Sequence, residues 1–189
     1  MNTRTPASLE ISAMVLVSAM LFVELYRVND WLFGTLEFTD GVNWIFLPAG
    51  FRVLLVLVMG LPGAVGIFLG NLWLDRQDLY VESLLPIVAA GMASGFGPWL
   101  VRWWMQRRGL IDAQLQRITS AHLLQFVLLY AAFNALSHQL IHWGFHTPNT
   151  VPWLDVWPMF FGDVVGALLV LYAFKLVLMG WQALGLRRP

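Results

Sequence analysis

One long, mainly apolar stretch, from Trp44 to Asp75, constrains the fold of this chain more than any other feature. It reads WIFLPAGFRVLLVLVMGLPGAVGIFLGNLWLD. A bilayer core about 30 Å thick is crossed by roughly 20 helical residues, so the stretch is too long for one span and barely long enough for two. The segment Gly60-Leu61-Pro62-Gly63 breaks it in the middle, because proline lacks an amide donor and glycine tolerates unusual backbone angles. The sequence therefore predicts helices over 42–59 and 61–74, joined by a tight turn at Gly60–Gly63.

The composition indicates an integral membrane protein with a single domain over residues 1–189. Hydrophobic residues make up 59% of the chain and charged residues 12%, and the mean hydropathy is +0.69. The net charge is zero, which gives no indication of a nucleic-acid partner. Because the chain has no cysteine, a thiolate metal site and a cysteine nucleophile are excluded. We predict an all-α, polytopic fold with about six transmembrane helices, near residues 10–28, 42–59, 61–74, 83–104, 121–143 and 158–180.

Basic residues test this helix count. They cluster between the fourth and fifth segments, at Arg102, Arg107, Arg108 and Arg117, and again in the tail at Arg187 and Arg188. Six helices place both clusters on the same side of the membrane as the N-terminus with Arg4, whereas five helices would place the N-terminus on the opposite side from both clusters. The positive-inside rule therefore favours six helices with cytoplasmic N- and C-termini. The spaced apolar residues of the 105–120 loop predict a short amphipathic helix on that face.

Several polar residues fall inside the predicted spans. Arg52 lies near the middle of the second segment, where a charge costs at least ~2.5 kcal/mol unless it is paired or hydrated. Glu24 in the first segment and Asp163 in the sixth are its candidate partners, and Asn71 in the third adds an amide. Together they predict a polar cleft that opens to the outside. Arg52 then either contacts a ligand or forms an ion pair that only fixes helix packing, and both interpretations stay open.

The fifth segment adds three polar residues on one helical face. Asn134, His138 and His142 follow one another at four-residue spacing, and His146 lies one turn further on. Such histidines can bind a metal or haem, sense pH, or simply pack and hydrogen bond near the membrane interface. We expect the last of these and predict no cofactor, with His138, His142 and His146 as the candidates for a metal or haem. No catalytic motif is found, so no enzyme activity is predicted.

Two groups of motifs carry a resemblance to a known family. The first is Phe46-Leu47-Pro48-Ala49-Gly50 followed by the segment from Pro62 to Asn71, and the second is the segment from Gly162 to Val170. These resemble the Pro-Ala-Gly entry, the Pro-Gly-x-Phe-Leu-Gly segment and the late Gly-Asp-x-x-Gly-x-Leu helix of the membrane-associated sensor domain of the MASE-one type. Arg52 stands where that family usually has an apolar residue. The resemblance implies a sensory module of the bacterial inner membrane, in that family usually fused to a diguanylate cyclase, a phosphodiesterase or a histidine kinase.

The expected function is that of a sensor-like protein in the bacterial inner membrane. It would stand alone without an output domain and bind a small ligand or a partner protein in the outward-facing cleft. The expected ligand-binding residues are Arg52, Asn71, Asn134, His138, Asp163 and Glu24.

Two alternatives remain from other classes of protein. One is an accessory subunit of a larger membrane complex, which would need only packing surfaces. The other is a substrate-capturing subunit of an energy-coupling-factor type of transporter. For that role, the small residues Ala89, Ala90, Gly91, Ala93, Ser94 and Gly95 would form a cytoplasmic docking surface. In every case the expected partners are the lipid bilayer and a membrane or cytoplasmic protein, with a small molecule as a possible ligand.

Overall fold

The chain forms a helical bundle. The computed structural model describes residues 7–39, 42–77, 84–146 and 151–183. The helices in these ranges are α1 (Ala7–Phe33), α2 (Leu47–Met59), α3 (Leu61–Leu74), α4 (Leu84–Arg107), α5 (Ser120–Phe145) and α6 (Pro152–Ala183). The prediction of an all-α fold is therefore confirmed. Four of these helices, α1, α4, α5 and α6, are long and apolar enough to cross a membrane, so the count of six spans is approximate.

The helices α2 and α3 form a short helical hairpin. At 13 and 14 residues they measure about 20 Å each, less than the ~30 Å hydrocarbon core. The predicted break between them is confirmed, because Gly60 adopts a φ of 63° in the left-handed region that favours glycine. Nη1 of Arg102 donates to the carbonyl oxygen of Val56 at 2.7 Å, so the end of α2 lies level with the last third of α4.

Two short antiparallel strands precede α2. They are β1 (Glu37–Thr39) and β2 (Val42–Asn43). We call the end of the bundle at which this β-hairpin lies the hairpin end; the turn between α2 and α3 lies at the opposite end. The prediction that the second helix begins at residue 42 is therefore wrong, since α2 begins at Leu47. The start is fixed from α1, where Oδ1 of Asn29 accepts a hydrogen bond from the Leu47 amide at 2.8 Å. This contact satisfies one of the free amides of the first helical turn.

The opposite end carries Arg107, Arg108 and Arg117, and we call it the basic end. The predicted amphipathic helix over 105–120 is wrong: α4 continues to Arg107, and residues 108–119 form turns. Ile111 is buried in the core, and the Asp112 carboxylate accepts hydrogen bonds from the backbone amides of residues 116 and 117. Hydrogen bonds from backbone amides to the Asp112 side chain, together with the buried Ile111, thus stabilise this loop in place of helical backbone hydrogen bonds.

Glycines bring the helices into close contact. A Cβ atom at Gly66 would lie 2.5 Å from Cβ of Ser18 in α1, and one at Gly95 would lie 2.7 Å from the Ala64 carbonyl oxygen. Small residues of this kind allow helix backbones to approach each other in a membrane. Helix α2 lies at the centre and packs against α1, α3, α4 and α6. Arg52, which lies on the buried face of α2, is therefore surrounded by the rest of the bundle.

Candidate functional site

A polar cavity lies between the helices near the hairpin end. Its volume is about 160 Å³, and residues from α1, β2 and all of the later helices line it. Its polar lining includes Asn43, Arg52, Asn71, Ser94, His138 and Asp163. Four of the six predicted ligand-binding residues are thus brought together: Arg52, Asn71, His138 and Asp163.

Arg52 is the cation of this cavity, and only 3% of its surface is exposed. Its Nη1 donates to the hydroxyl of Tyr130 at 3.0 Å. The guanidinium also lies over two aromatic rings, 5.0 Å from the centroid of Phe22 and 5.1 Å from that of Phe46. Cation–π contacts of this kind gain strength when the cation is desolvated. Its Nε finds no hydrogen-bond partner in the described part of the chain.

The predicted carboxylate partners of Arg52 are not its contacts. The Glu24 side chain is 64% exposed and pairs with Arg27 at 2.8 Å on the bundle surface, away from the cavity lining. Asp163 does line the cavity, but its Oδ2 accepts a hydrogen bond from Asn134 at 2.7 Å. Among the described residues no ion pair joins Arg52 to either carboxylate. Of the two interpretations of Arg52 left open above, the ion pair is not present in the described chain, where Arg52 instead contacts Tyr130 and two aromatic rings.

The segment between β2 and α2 is held against α6 by two glycines. The Phe46 amide donates to the Gly162 carbonyl at 3.1 Å, and the Phe46 carbonyl oxygen lies where a Cβ atom on Gly166 would be. Because side chains at these positions would push the segment away, the glycines place Phe46 above Arg52. They also bring Asn43 into the cavity beside Asp163, which lies between them in sequence.

Helix α5 contributes its polar face as predicted. His138 and His142 line the cavity with ring centroids 6.3 Å apart, and Nε2 of His138 lies 3.0 Å from Oγ of Ser94. Asn134, one turn earlier, is fully buried against Asp163. His146 is exposed at the end of α5 and does not line the cavity.

The histidines of α5 do not belong to a larger group of possible metal ligands in the described residues. Nowhere in residues 7–39, 42–77, 84–146 and 151–183 do three or more His, Cys, Asp or Glu side chains group so that they could hold a metal ion. The cavity of about 160 Å³ is also smaller than the ~300 Å³ at the low end of pockets for drug-sized ligands.

The sequence reasoning missed several residues of the site. Tyr130 lies one turn before Asn134 on the same face of α5, so the four-residue spacing extended by one step would have found it. Phe22 lies on a narrow inward stripe of α1 with Ser18 and Asn29, all of them buried. Asn43 carried no signal, because its position depends on the strand pair.

The cavity does not continue to the basic end. One cluster of buried apolar side chains reaches from Val53, next to Arg52, to Ile111 in the loop between α4 and α5. Leu57, Met105 and Phe126 belong to the same cluster. This apolar cluster therefore fills the space between the cavity and the basic end.

No family model, curated protein or solved structure matches this chain. The motifs from residues 46 to 50 and from 162 to 170 contact each other, since a Cβ atom at Gly50 would lie 2.5 Å from Cβ of Val170. The resemblance to the sensor family stays a prediction that rests on those motifs.

Proposed function

We propose that this chain is a sensor-like membrane protein that binds a small water-soluble molecule, through an anionic group of that molecule, in the Arg52 cavity. The observation that carries the proposal is that Arg52 is buried beside the cavity with part of its hydrogen-bonding capacity unused. The guanidinium is almost fully buried, has no carboxylate in contact within the described chain, and keeps an Nε without a partner beside a cavity. Intramembrane ionisable groups are functional candidates by default.

The chemistry of arginine supports an anionic group on the ligand. Its five N–H donors form a rigid fork that matches a carboxylate or phosphate, and charge-assisted hydrogen bonds are stronger than neutral ones. Tyr130 uses one nitrogen and the rings of Phe22 and Phe46 fix the plane of the guanidinium. The cation is therefore positioned before a ligand arrives, which lowers the entropic cost of binding.

A route for a signal runs from Arg52 along α2. Arg102 bonds the Val56 carbonyl at the end of α2, and its Nη2 reaches the Ala113 carbonyl at 3.3 Å in the loop at the basic end. A ligand that binds one arrangement of α2 better than another would increase the population of that arrangement, and the loop would move with α2. We further propose that the basic end faces the cytoplasm of a bacterial cell, where the loop would meet a partner protein.

The experiment compares two arginine variants purified in mild detergent from native membranes. Arg52→Gln should lose a small molecule that mass spectrometry detects with the unaltered chain. Arg27→Gln should retain it, because Arg27 is an exposed arginine paired with Glu24 outside the cavity. A molecule retained equally by both variants would overturn the proposal.

The accessory-subunit alternative is favoured by one observation. The last part of α6, from Tyr172 to Trp181, is exposed on nearly all sides, and an apolar groove of about 740 Å³ lies beside it against α2. A partner helix could pack there. Stable co-purification of a membrane protein without any small molecule would support this role over the sensor role.

The transporter alternative gains no support from its expected docking surface. Gly91 and Gly95 are buried against Phe68 of α3, in the half of α4 that is nearer the hairpin end. The stretch from Ala89 to Gly95 is therefore not available at the basic end, where such a surface was expected.

A further inference from the structure

We infer that the molecule bound in the Arg52 cavity is a small amphoteric compound, with an anionic group for Arg52 and a cationic or hydrogen-bond-donating group for Asp163. This inference rests on the proposed function and names the class of ligand. Ordinary small amino acids are the simplest members of that class.

The first support is the balance of charge in the cavity lining. The guanidinium of Arg52 on α2 and the carboxylate of Asp163 on α6 both line the cavity. A simple anion would meet one favourable charge and one unfavourable charge. A molecule that carries both signs can instead match each side of the lining, which is how charged groups give a site its specificity.

The second support is the separation of the opposite charges. Arg52 and Asp163 both line the cavity and both are buried, yet no ion pair joins them in the described chain. Each has a neutral anchor of its own, Tyr130 for the guanidinium and Asn134 for the carboxylate. Both anchors lie on α5, whereas the guanidinium lies on α2 and the carboxylate on α6. A bridging zwitterion would satisfy both without moving either.

The third support is an unused acceptor on the same lining. Oδ1 of Asn43 is buried and has no hydrogen-bond partner among the described residues. A carboxylate such as Asp163 can accept about four hydrogen bonds, and Asn134 supplies one. Acceptors therefore remain on the Asp163 side while a donor, Nε of Arg52, remains on the other. An ammonium group has three donors and suits the acceptor side.

The size of the cavity sets the scale of the ligand. A volume of about 160 Å³ is below the ~300 Å³ at the low end of pockets for drug-sized ligands. That space suits a chain of a few carbon atoms between two charged groups.

The test uses the full chain in lipid nanodiscs and isothermal titration with five probes. Glycine, β-alanine and γ-aminobutyrate carry both charges at increasing separation, whereas butyrate and butylammonium each carry one. At least one amino acid should bind about 10-fold or more tightly than either one-charge probe, since each charged hydrogen bond contributes substantially. In Asp163→Asn the preference for the amino acid over butyrate should disappear. Arg27→Gln, outside the cavity, should bind as the unaltered chain does.

The outcomes separate the two levels of the proposal. If butyrate binds as tightly as the amino acids in an Arg52-dependent way, the ligand is a simple anion; the amphoteric inference fails and the proposed function stands. If butylammonium binds best and Arg52→Gln binds normally, both fail. If none of the five probes binds, the amphoteric inference is overturned, and extraction of native ligand with Arg52→Gln decides the proposed function separately.

Discussion

Arg52 shows how a bundle of apolar helices can retain a charge. A lone cation at membrane depth is expensive, and the cost falls only where hydrogen bonds, aromatic faces or water replace the lost hydration. Here the lost hydration of Arg52 is replaced by a hydrogen bond to the Tyr130 hydroxyl, by contacts with the rings of Phe22 and Phe46, and by the polar cavity. Because none of these partners is a carboxylate, the positive charge stays available to a ligand.

The Tyr130 hydroxyl should contribute measurably to stability. We expect Tyr130→Phe to lower the free energy of unfolding by about 1–2 kcal/mol, because Arg52 would lose its hydrogen-bond acceptor in a buried place. In an Arg52→Met background the same change should cost close to nothing, which a double-mutant cycle in denaturing detergent would measure. Tyr172→Phe, at an exposed tyrosine of α6, is the matched control and should have no effect. Equal costs in both backgrounds would contradict the contact.

The residues of the site differ in how well the sequence predicted their position. Arg52, Asp163 and His138 are polar groups in long apolar runs, so hydropathy alone identified them. Glu24 misled for a geometric reason: the inward stripe of α1 passes through Ser18 and Phe22, and Glu24 lies off it. Helix rotation depends on neighbouring helices, and the sequence of a single lipid-exposed helix carries little record of it.

At the scale of elements, α6 fixes the entrance to α2 through its glycines. We expect Gly166→Ala to destabilise the chain by about 1–3 kcal/mol, because the new methyl group would meet the Phe46 carbonyl and come within 2.8 Å of the Leu47 nitrogen. Both are backbone atoms that cannot turn aside. The same variant should weaken ligand binding, since the segment that it displaces holds Phe46 over Arg52.

Gly180 offers a control in the same helix. A Cβ atom there would meet nothing within 4 Å. Gly180→Ala should therefore be neutral or stabilise by about 0.5–1 kcal/mol, as alanine favours helix over glycine. Thermal unfolding of both variants compares them directly. Similar losses in the two would show that α6 does not pack on the Phe46 segment.

Predictability also differed among the elements. The apolar runs and the break at Gly60 located every long helix of the described chain, because span length and helix-breaking residues are local properties. The strand pair before α2 and the turns over 108–119 were missed. Both depend on distant contacts, from Asn29 to the Leu47 amide and from Ile111 to the core. Local sequence cannot report such contacts.

At the scale of the whole molecule, exposed tryptophans group at the two ends of the bundle, the arrangement expected at the two boundaries of a membrane. At the hairpin end they are Trp31, Trp44, Trp73, Trp143, Trp153 and Trp157, and at the basic end Trp103, Trp104 and Trp181, all exposed. From Leu84 to Trp103 helix α4 rises about 30 Å, the thickness of a hydrocarbon core. The cavity lies in the half near the hairpin end, and the apolar cluster from Val53 to Ile111 fills the other half.

The short hairpin of α2 and α3 decides on which side each loop lies. Because the turn at Gly60 sends the chain back, residues before α2 and after α3 are on the same side whether or not the hairpin crosses the whole bilayer. We expect Gln77, exposed just after α3, to face outward, and Gln114, exposed in the loop at the basic end, to face the cytoplasm.

The chain has no cysteine of its own, so Gln77→Cys and Gln114→Cys can be labelled singly. A membrane-impermeant maleimide should label the first on intact cells and the second only after permeabilisation. Leu140→Cys, on the lipid-facing side of α5, should label poorly in both conditions. If Gln77→Cys required permeabilisation and Gln114→Cys did not, the cavity would open to the cytoplasm, and the ligand would have to be an intracellular molecule.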